Sequence, residues 1–509
     1  MTKTTKTLLV VIFAWALALR LLWFPENIYF GYDQARDAFE SQAIYKTGDL
    51  KLIGPSTSLE GLYHGPLYWY LVGPIYLLSS GNASGPALFL SVLNALGVFI
   101  IFYIGKKLGG NLVGIIAAFL YATSFEQTQY ALYFGNPAPA VLTIMLFYLG
   151  FIYFGLEKKL WGLLLAIIGL GLSVSFQFFL LYLSGIFIFF LLIFRKNLKK
   201  FKLKYMLALL ITAVISFSTF ILADIKYGAR TANVLLKVVT NNGNSGGFLK
   251  IIGNYFNRLA MHLEHNIFSF GQNTSKLLLF AIIIASFILW TRNKKARPSL
   301  VVLLVWFFSS SLLIFLGGHN LYYSNIGISA GILLLTSYLI VNLIKSKWWI
   351  FLSFVVITIS NLNLIFEQNP KGVISDIYVQ EGMLLSRQLR LLDYIYESSR
   401  GKPIVVSAST MPLKINTTWA YLFEWYGNKK YGRVPFWAGE AAPGYPGNLS
   451  LWKSQVQDYT MFTILEPTRG VRQAFVDEFL STQKQYGDVS EEKRFGDKPQ
   501  ATLVVQRRK

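Results

Sequence analysis

Residues 66–79, Pro-Leu-Tyr-Trp-Tyr-Leu-Val-Gly-Pro-Ile-Tyr-Leu-Leu-Ser, decide the topology of this chain. They are apolar enough to enter a bilayer, yet a helix needs about 20 residues to cross roughly 30 Å of hydrocarbon. Other apolar runs lie at 7–24, 84–105, 111–127, 137–156, 160–175, 177–194, 205–223, 277–291, 299–316, 322–344 and 348–366. Basic clusters separate several of them: Lys106-Lys107, Lys158-Lys159, Arg195 to Lys204, Arg292 to Arg297, and Lys345 with Lys347. Cytoplasmic loops carry an excess of Lys and Arg. If 66–79 crosses the membrane, the first three clusters fall outside. If it lies along the outer face, every basic loop falls inside. The inside loops, with Lys3 and Lys6, then hold eighteen Lys or Arg against one acid, Glu157. The first outer loop, 25–83, holds three bases and six acids. The expected topology is therefore eleven spans, with 66–79 a juxtamembrane or re-entrant helix, the N-terminus cytoplasmic and the C-terminus outside.

Composition agrees with a membrane protein. Of 509 residues, 54% are hydrophobic and 14% charged, where soluble domains carry about 25% charged residues. A net charge of +22 invites a nucleic-acid reading, but the bases sit in short clusters between apolar runs, so no nucleic-acid partner is expected. The absence of cysteine excludes a disulfide framework and thiolate chemistry. Residues 7–24 follow Lys3 and Lys6 and lack a small-residue cleavage site, which reads as a signal anchor. Beyond 367 the hydropathy falls. Residues 376–399 have the pattern of an amphipathic helix, and 403–408, 459–465 and 501–506 that of short strands. The expected fold class is an α-helical polytopic membrane module over 1–366, with a small extracytoplasmic α/β domain over 367–509.

In this topology all four histidines, His64, His262, His265 and His319, lie outside with the acidic first loop. Gly31-Tyr32-Asp33-Gln34-Ala35-Arg36-Asp37-Ala38 opens a helix expected over about 34–47 and closed by Gly48. Asp33 then sits at or beside the N-cap, with Asp37 one turn on. The pair reads either as a cap plus a solvated acid or as a general base or metal-ligand pair. His64-Gly65-Pro66-Leu67-Tyr68-Trp69-Tyr70 reads as an interfacial aromatic run or as a substrate contact through His64 and Tyr68. Asn136 before Pro137 reads as an N-cap with proline at N1. Arg258 and His262, four apart, share a helical face that can grip a phosphate or simply face anionic headgroups. Gly317-Gly318-His319-Asn320-Leu321-Tyr322-Tyr323 is a turn at membrane depth, where a histidine needs a partner or a function. No phosphate-binding loop, Asp-x-Asp triplet or His-Glu-x-x-His zinc signature is present.

Three runs carry a family resemblance: Gly-Tyr-Asp-Gln-Ala-Arg-Asp-Ala (31–38), His-Gly-Pro-Leu-Tyr-Trp-Tyr (64–70) and Tyr-x-x-Tyr-Phe-Gly-Asn-Pro (130–137). With their order and spacing, the chain resembles the C-type (GT-C) integral-membrane glycosyltransferases, the superfamily of protein O-mannosyltransferases and the lipid A aminoarabinose transferase. The likeness covers about residues 1–366. It implies a helical juxtamembrane first loop, a polyprenyl-phosphate sugar donor and a catalytic first-loop acid, here Asp33 with Asp37 as helper. Beside that implied acid, the candidate substrate contacts read from the residues are His64, Tyr68, Asn136, Arg258, His262, His319 and Tyr322. Asn136 stands where many relatives have a second acid, which weakens a two-carboxylate site for Mg or Mn and leaves Asp33 as the one candidate metal ligand.

The expected activity is transfer of a sugar to a hydroxyl of a cell-envelope glycan, lipid or protein at the plasma membrane. The rival expectations are a lipid-glycan flippase or transporter and a non-catalytic membrane assembly scaffold. A transporter predicts internal repeats and a polar midplane path, and neither is visible in the sequence.

Overall fold

The computed structural model describes residues 2–200, 202–240, 248–269, 271–316, 322–374, 380–453, 458–469, 471–496 and 501–508. Apolar helices dominate it. Each of the eleven stretches expected to cross coincides with one of them. Among the described residues five reach a spanning length: Lys3–Leu21, Ser84–Gly109, Asn273–Arg292, Lys294–Leu313 and Lys347–Lys371. The consecutive helices Leu203–Ser216 and Ser218–Tyr227 make a sixth segment bent by 62°. The others, including Asn111–Thr123, Ala140–Leu156 and Ile328–Leu343, are shorter.

The outer surface of these helices is what a hydrocarbon solvent requires. Phe280 and Phe287 on one helix and Trp348 and Phe351 on another are more than half exposed. Apolar area on that scale is unfavourable against water. Inside, small residues let backbones touch. A Cβ added at Gly150 would lie 2.5 Å from Ala166 N and 2.6 Å from Gly162 O, the close approach typical of helix pairs in membranes.

Residues 66–79 form the helix Leu67–Leu78, which packs against the helix Tyr32–Lys46. Twelve residues are short for a crossing. The juxtamembrane placement is thus consistent with its length and with its polar neighbour.

The C-terminal region folds around a five-stranded mixed sheet. Its strands are β1 (Ile404–Ser409), β2 (Phe436–Trp437), β3 (Thr460–Leu465), β4 (Val489–Phe495) and β5 (Leu503–Arg508). The order is β2-β1-β3-β5-β4. β1 pairs parallel with β2 and β3, while β5 runs antiparallel to β3 and β4. The expected strands at 403–408, 459–465 and 501–506 are β1, β3 and β5, shifted by one or two residues at their ends. The expected helix 376–399 is observed as Leu385–Ser398, and 376–379 lie outside the described residues. This region is bound closely to the first loop. Phe30 N–H donates to Met383 O at 2.9 Å and Leu385 N–H to Ile28 O at 2.9 Å. Tyr421 Oη donates to Gly81 O at 2.6 Å.

Candidate active site

The first-loop helix spans Tyr32–Lys46 with Gly31 as its N-cap. Gly31 N–H donates to Gln34 Oε1 at 3.2 Å, so a glutamine three residues on closes the turn. Asp33, expected at or beside the N-cap, is two residues past it. It sits inside the first turn, where the helix dipole favours a negative charge. Gly48, at φ +72°, follows the helix in the left-handed conformation that glycine supplies at a C-terminus.

Asp33 and Asp37 share this helix but not an environment. The Asp33 side chain is 47% exposed and Oδ1 accepts from Arg36 Nη1 at 2.7 Å. The Asp37 side chain is 2% exposed. Its Oδ1 accepts from Arg36 Nε at 3.0 Å, Arg36 Nη2 at 2.8 Å and Trp69 Nε1 at 2.7 Å. Its Oδ2 is buried without a hydrogen-bond partner. Burial pushes the Asp37 carboxyl up to about 6, although the Arg36 charge pulls the other way. One guanidinium thus bridges two carboxylates, one accessible and one sealed.

Around this pair the aromatic run is fixed by backbone contacts. Tyr68 Oη donates to Phe134 O at 2.6 Å. His64 Nδ1 accepts from Phe178 N–H at 2.9 Å. Burial, with help from the Arg36 charge, lowers its pKa to about 3, so His64 is neutral and its Nδ1 serves the fold. Asn136 is not a helix cap, contrary to the sequence expectation. The helix after it begins at Ala140 with Pro139 as its cap, because 135–139 close as turns. The Asn136 amide instead donates to Phe176 O at 2.7 Å.

A second cluster forms where three distant segments meet. Arg258 and His262 lie on the helix Phe248–Glu264 and do share a face. His262 stacks on Tyr322 with ring centroids 4.4 Å apart, and the Arg258 guanidinium lies 5.8 Å from the same ring. His265 Nδ1 and Tyr322 Oη are 2.8 Å apart. His262 Nδ1 lies 3.0 Å from Glu126 Oε2, with both side chains fully buried, and Asn266 Nδ2 donates to the same oxygen at 2.6 Å. Glu126 Oε1, His262 Nε2 and Tyr130 Oη are buried without hydrogen-bond partners, an arrangement that buried polar atoms rarely adopt unless something else meets them. His319 lies outside the described residues.

Segment 130–136 links the two clusters. Gln34 Nε2 donates to Tyr133 O at 3.1 Å, and Tyr130 faces Tyr322 at 6.5 Å. The sequence reading passed over Arg36, Trp69, Glu126 and Tyr130. Glu126 left a signal: it is an acid at the end of an apolar run, where a charge is costly without a role. Among the described residues no group of three or more His, Asp or Glu is placed to hold a metal ion. At the carboxylate pair, Arg36 already supplies the positive charge that a divalent cation would bring.

Comparison with known proteins bears on this arrangement. Residues 63–222 match the family model for dolichyl-phosphate-mannose-protein mannosyltransferases. The fold matches ArnT from Cupriavidus metallidurans bound to undecaprenyl phosphate, with a TM-score of 0.60 and 11% identity over 98% of this chain and 97% of that one. The apo state of the same protein gives 0.59 and 12% over 99% and 98%. The chain has the fold of a GT-C glycosyltransferase. The GT-C resemblance drawn from the three motifs therefore holds, and the fold likeness extends through the C-terminal sheet as well. The oligosaccharyltransferase of Archaeoglobus fulgidus in its apo form also matches, with a TM-score of 0.48 and 14% identity over 85% of this chain and 64% of that one. No curated protein matches the chain.

Proposed function

We propose that this GT-C-fold protein transfers a sugar from a polyprenyl-phosphate donor to a hydroxyl acceptor at the outer face of the plasma membrane. The observation that carries the reading is the contrast at the first-loop helix: Asp33 is accessible and Asp37 sealed, with Arg36 joining them. An accessible carboxylate on a rigid helix is what a general base requires, since it must come within about 3 Å of the proton it takes. Asp33 removes the proton from the acceptor hydroxyl as that oxygen attacks the anomeric carbon. The bond from that carbon to the phosphate oxygen breaks, and the polyprenyl phosphate leaves with the electron pair. Arg258, with His262 and Tyr322, receives the charge growing on the phosphate, and Asn136 completes the donor's surroundings. Asp37 holds Arg36 and Trp69 in place rather than exchanging protons with substrate. His64 and Tyr68 fix the backbone at 178 and 134.

The undecaprenyl phosphate bound by ArnT supports the donor class. In this reading the membrane module spans 1–366 in eleven crossings, the N-terminus is cytoplasmic, and 367–509 lie outside. The donor's tail runs between helices and lipid. A flippase or a scaffold does not explain an accessible carboxylate joined to a sealed one by a shared arginine.

The test is transfer by purified protein from a lipid-phosphate sugar, with mass spectrometry of envelope glycans from a deletion strain to identify the product. Asp33→Asn should lower transfer by about a hundredfold or more without lowering expression. Full activity of that variant ends the assignment.

A further inference from the structure

A cleft of about 670 Å³ opens in the C-terminal α/β region, apart from the two clusters described above. Its floor is the carboxyl edge of the parallel strands β1 and β3, at Ser409, Thr410 and Glu466. Parallel sheets take ligands at that edge. One wall is the helix Gln473–Gln483, and the other is the loop after β2. The volume falls in the range of about 300–1,000 Å³ that holds organic ligands.

We infer that this cleft binds a neutral or amine-bearing carbohydrate and holds the glycan of the acceptor. The second part rests on the transferase reading above.

Three features select the ligand class. The first is apolar surface left open where the surrounding fold does not need it. Met411, Leu413 and Phe475 are each more than a third exposed, and all line this cleft. Phe479 and Tyr486 add rings that suit the C–H faces of a sugar. The second is hydrogen-bonding capacity. Thr468, Thr482 and Gln485 line the cleft. Glu466 is 3% exposed, with Oε2 accepting from Met411 N–H at 2.9 Å and Oε1 from Trp419 Nε1 at 2.8 Å. Gln380 also hydrogen-bonds this carboxylate, which leaves about one of its roughly four acceptor positions open. The third is charge. Glu440, Glu466 and Glu478 face a single lysine, Lys414, whose Nζ lies 3.0 Å from Glu440 Oε1. Such a lining repels phosphates and nucleotides and accepts hydroxyls and amines.

The cleft also touches the segment that precedes the first-loop helix. Gln380 lines it, and its side-chain amide donates to Pro467 O at 2.7 Å. Gln380 N–H donates to Tyr29 Oη at 3.4 Å. Tyr29 is buried four residues before Asp33, and its phenol lies within the electrostatic reach of both Asp33 and Glu466. A glycan seated over Glu466 is therefore separated by one residue, Gln380, from Tyr29 of the first loop.

The test uses the full-length protein in lipid nanodiscs and three fluorescently tagged disaccharides: N-acetylated chitobiose, its de-acetylated diamine, and a diuronic acid. The first two should bind and the third should not. Glu466→Gln and Phe475→Ala should each weaken binding about tenfold, as loss of a hydrogen bond to a charged group or of a stacking face does. Phe475 is exposed on its helix, so its truncation leaves the core intact. Failure of both the neutral and the amine sugar to bind overturns the inference. So does preference for the diuronic acid, or binding that survives both substitutions. Sugar binding in the cleft without transfer from any lipid-phosphate donor overturns the acceptor role alone, and separates that failure from failure of the binding site.

Discussion

The carboxylate cluster and the histidine cluster differ in how they are assembled. Asp33, Arg36 and Asp37 belong to one helix of fifteen residues, and Trp69 reaches it from the next. Glu126, His262 and Tyr322 come from segments 136 and 60 residues apart in sequence. The first cluster is set by local helix geometry, with i, i+3 and i, i+4 neighbours on one face. The second exists only when distant helices pack. The first also leaves one carboxylate open, whereas the second is closed and keeps three polar atoms unpartnered. Reaction at an open acid and reception of charge by a preformed buried group are complementary tasks.

The sharpest test of that contrast is Asp33→Asn. It should lower the transfer rate by about 10²–10⁴-fold, the contribution of a positioned general base, with the melting temperature unchanged because Asp33 is half exposed. Asp37→Ala should act the other way. It leaves the buried Arg36 charge without its inner partner and should cost about 3–5 kcal/mol of stability, read as a loss of folded protein after detergent extraction. If the two variants have the same effect, the division between open and sealed acid is wrong.

Glu126→Ala should cost about 1–3 kcal/mol by leaving Asn266 and His262 short of an acceptor, and should weaken donor-lipid binding more than acceptor binding. Equal loss of both would remove the distinction between the clusters.

Acidity offers a gentler probe. Asp37 is raised to about 6 and Glu466 to about 7, each by burial. Both lie above the unfolded carboxyl values near 4. The folded state therefore binds protons that the unfolded state releases, and stability falls as pH rises from about 4 through 7. Thermal melts at pH 5 and pH 8 should show the lower transition at pH 8, and Glu466→Gln should flatten that difference. The smallest expected effect is from chelation. Because Arg36 occupies the space between the acids, EDTA should leave transfer unchanged, and its loss would restore a divalent cation at Asp33.

Amino-acid order alone determined the membrane character, the positions of the eleven apolar stretches, the short helix at 66–79 and the helix that carries Asp33. Those features depend on local hydrophobic runs, charge bias and helical spacing, all readable within about twenty residues. It also marked β1, β3 and β5, most of whose apolar residues are buried. It did not mark β4, Val-Ser-Glu-Glu-Lys-Arg-Phe, which is an exposed edge strand with no buried face to leave an alternation. Only the tertiary structure decided that Asn136 serves Phe176 instead of a helix end, that Glu126 meets His262, that Asp37 is sealed while Asp33 stays open, and that a cleft forms above β1 and β3. Burial and partner choice depend on segments far apart in the chain, and no local pattern encodes them.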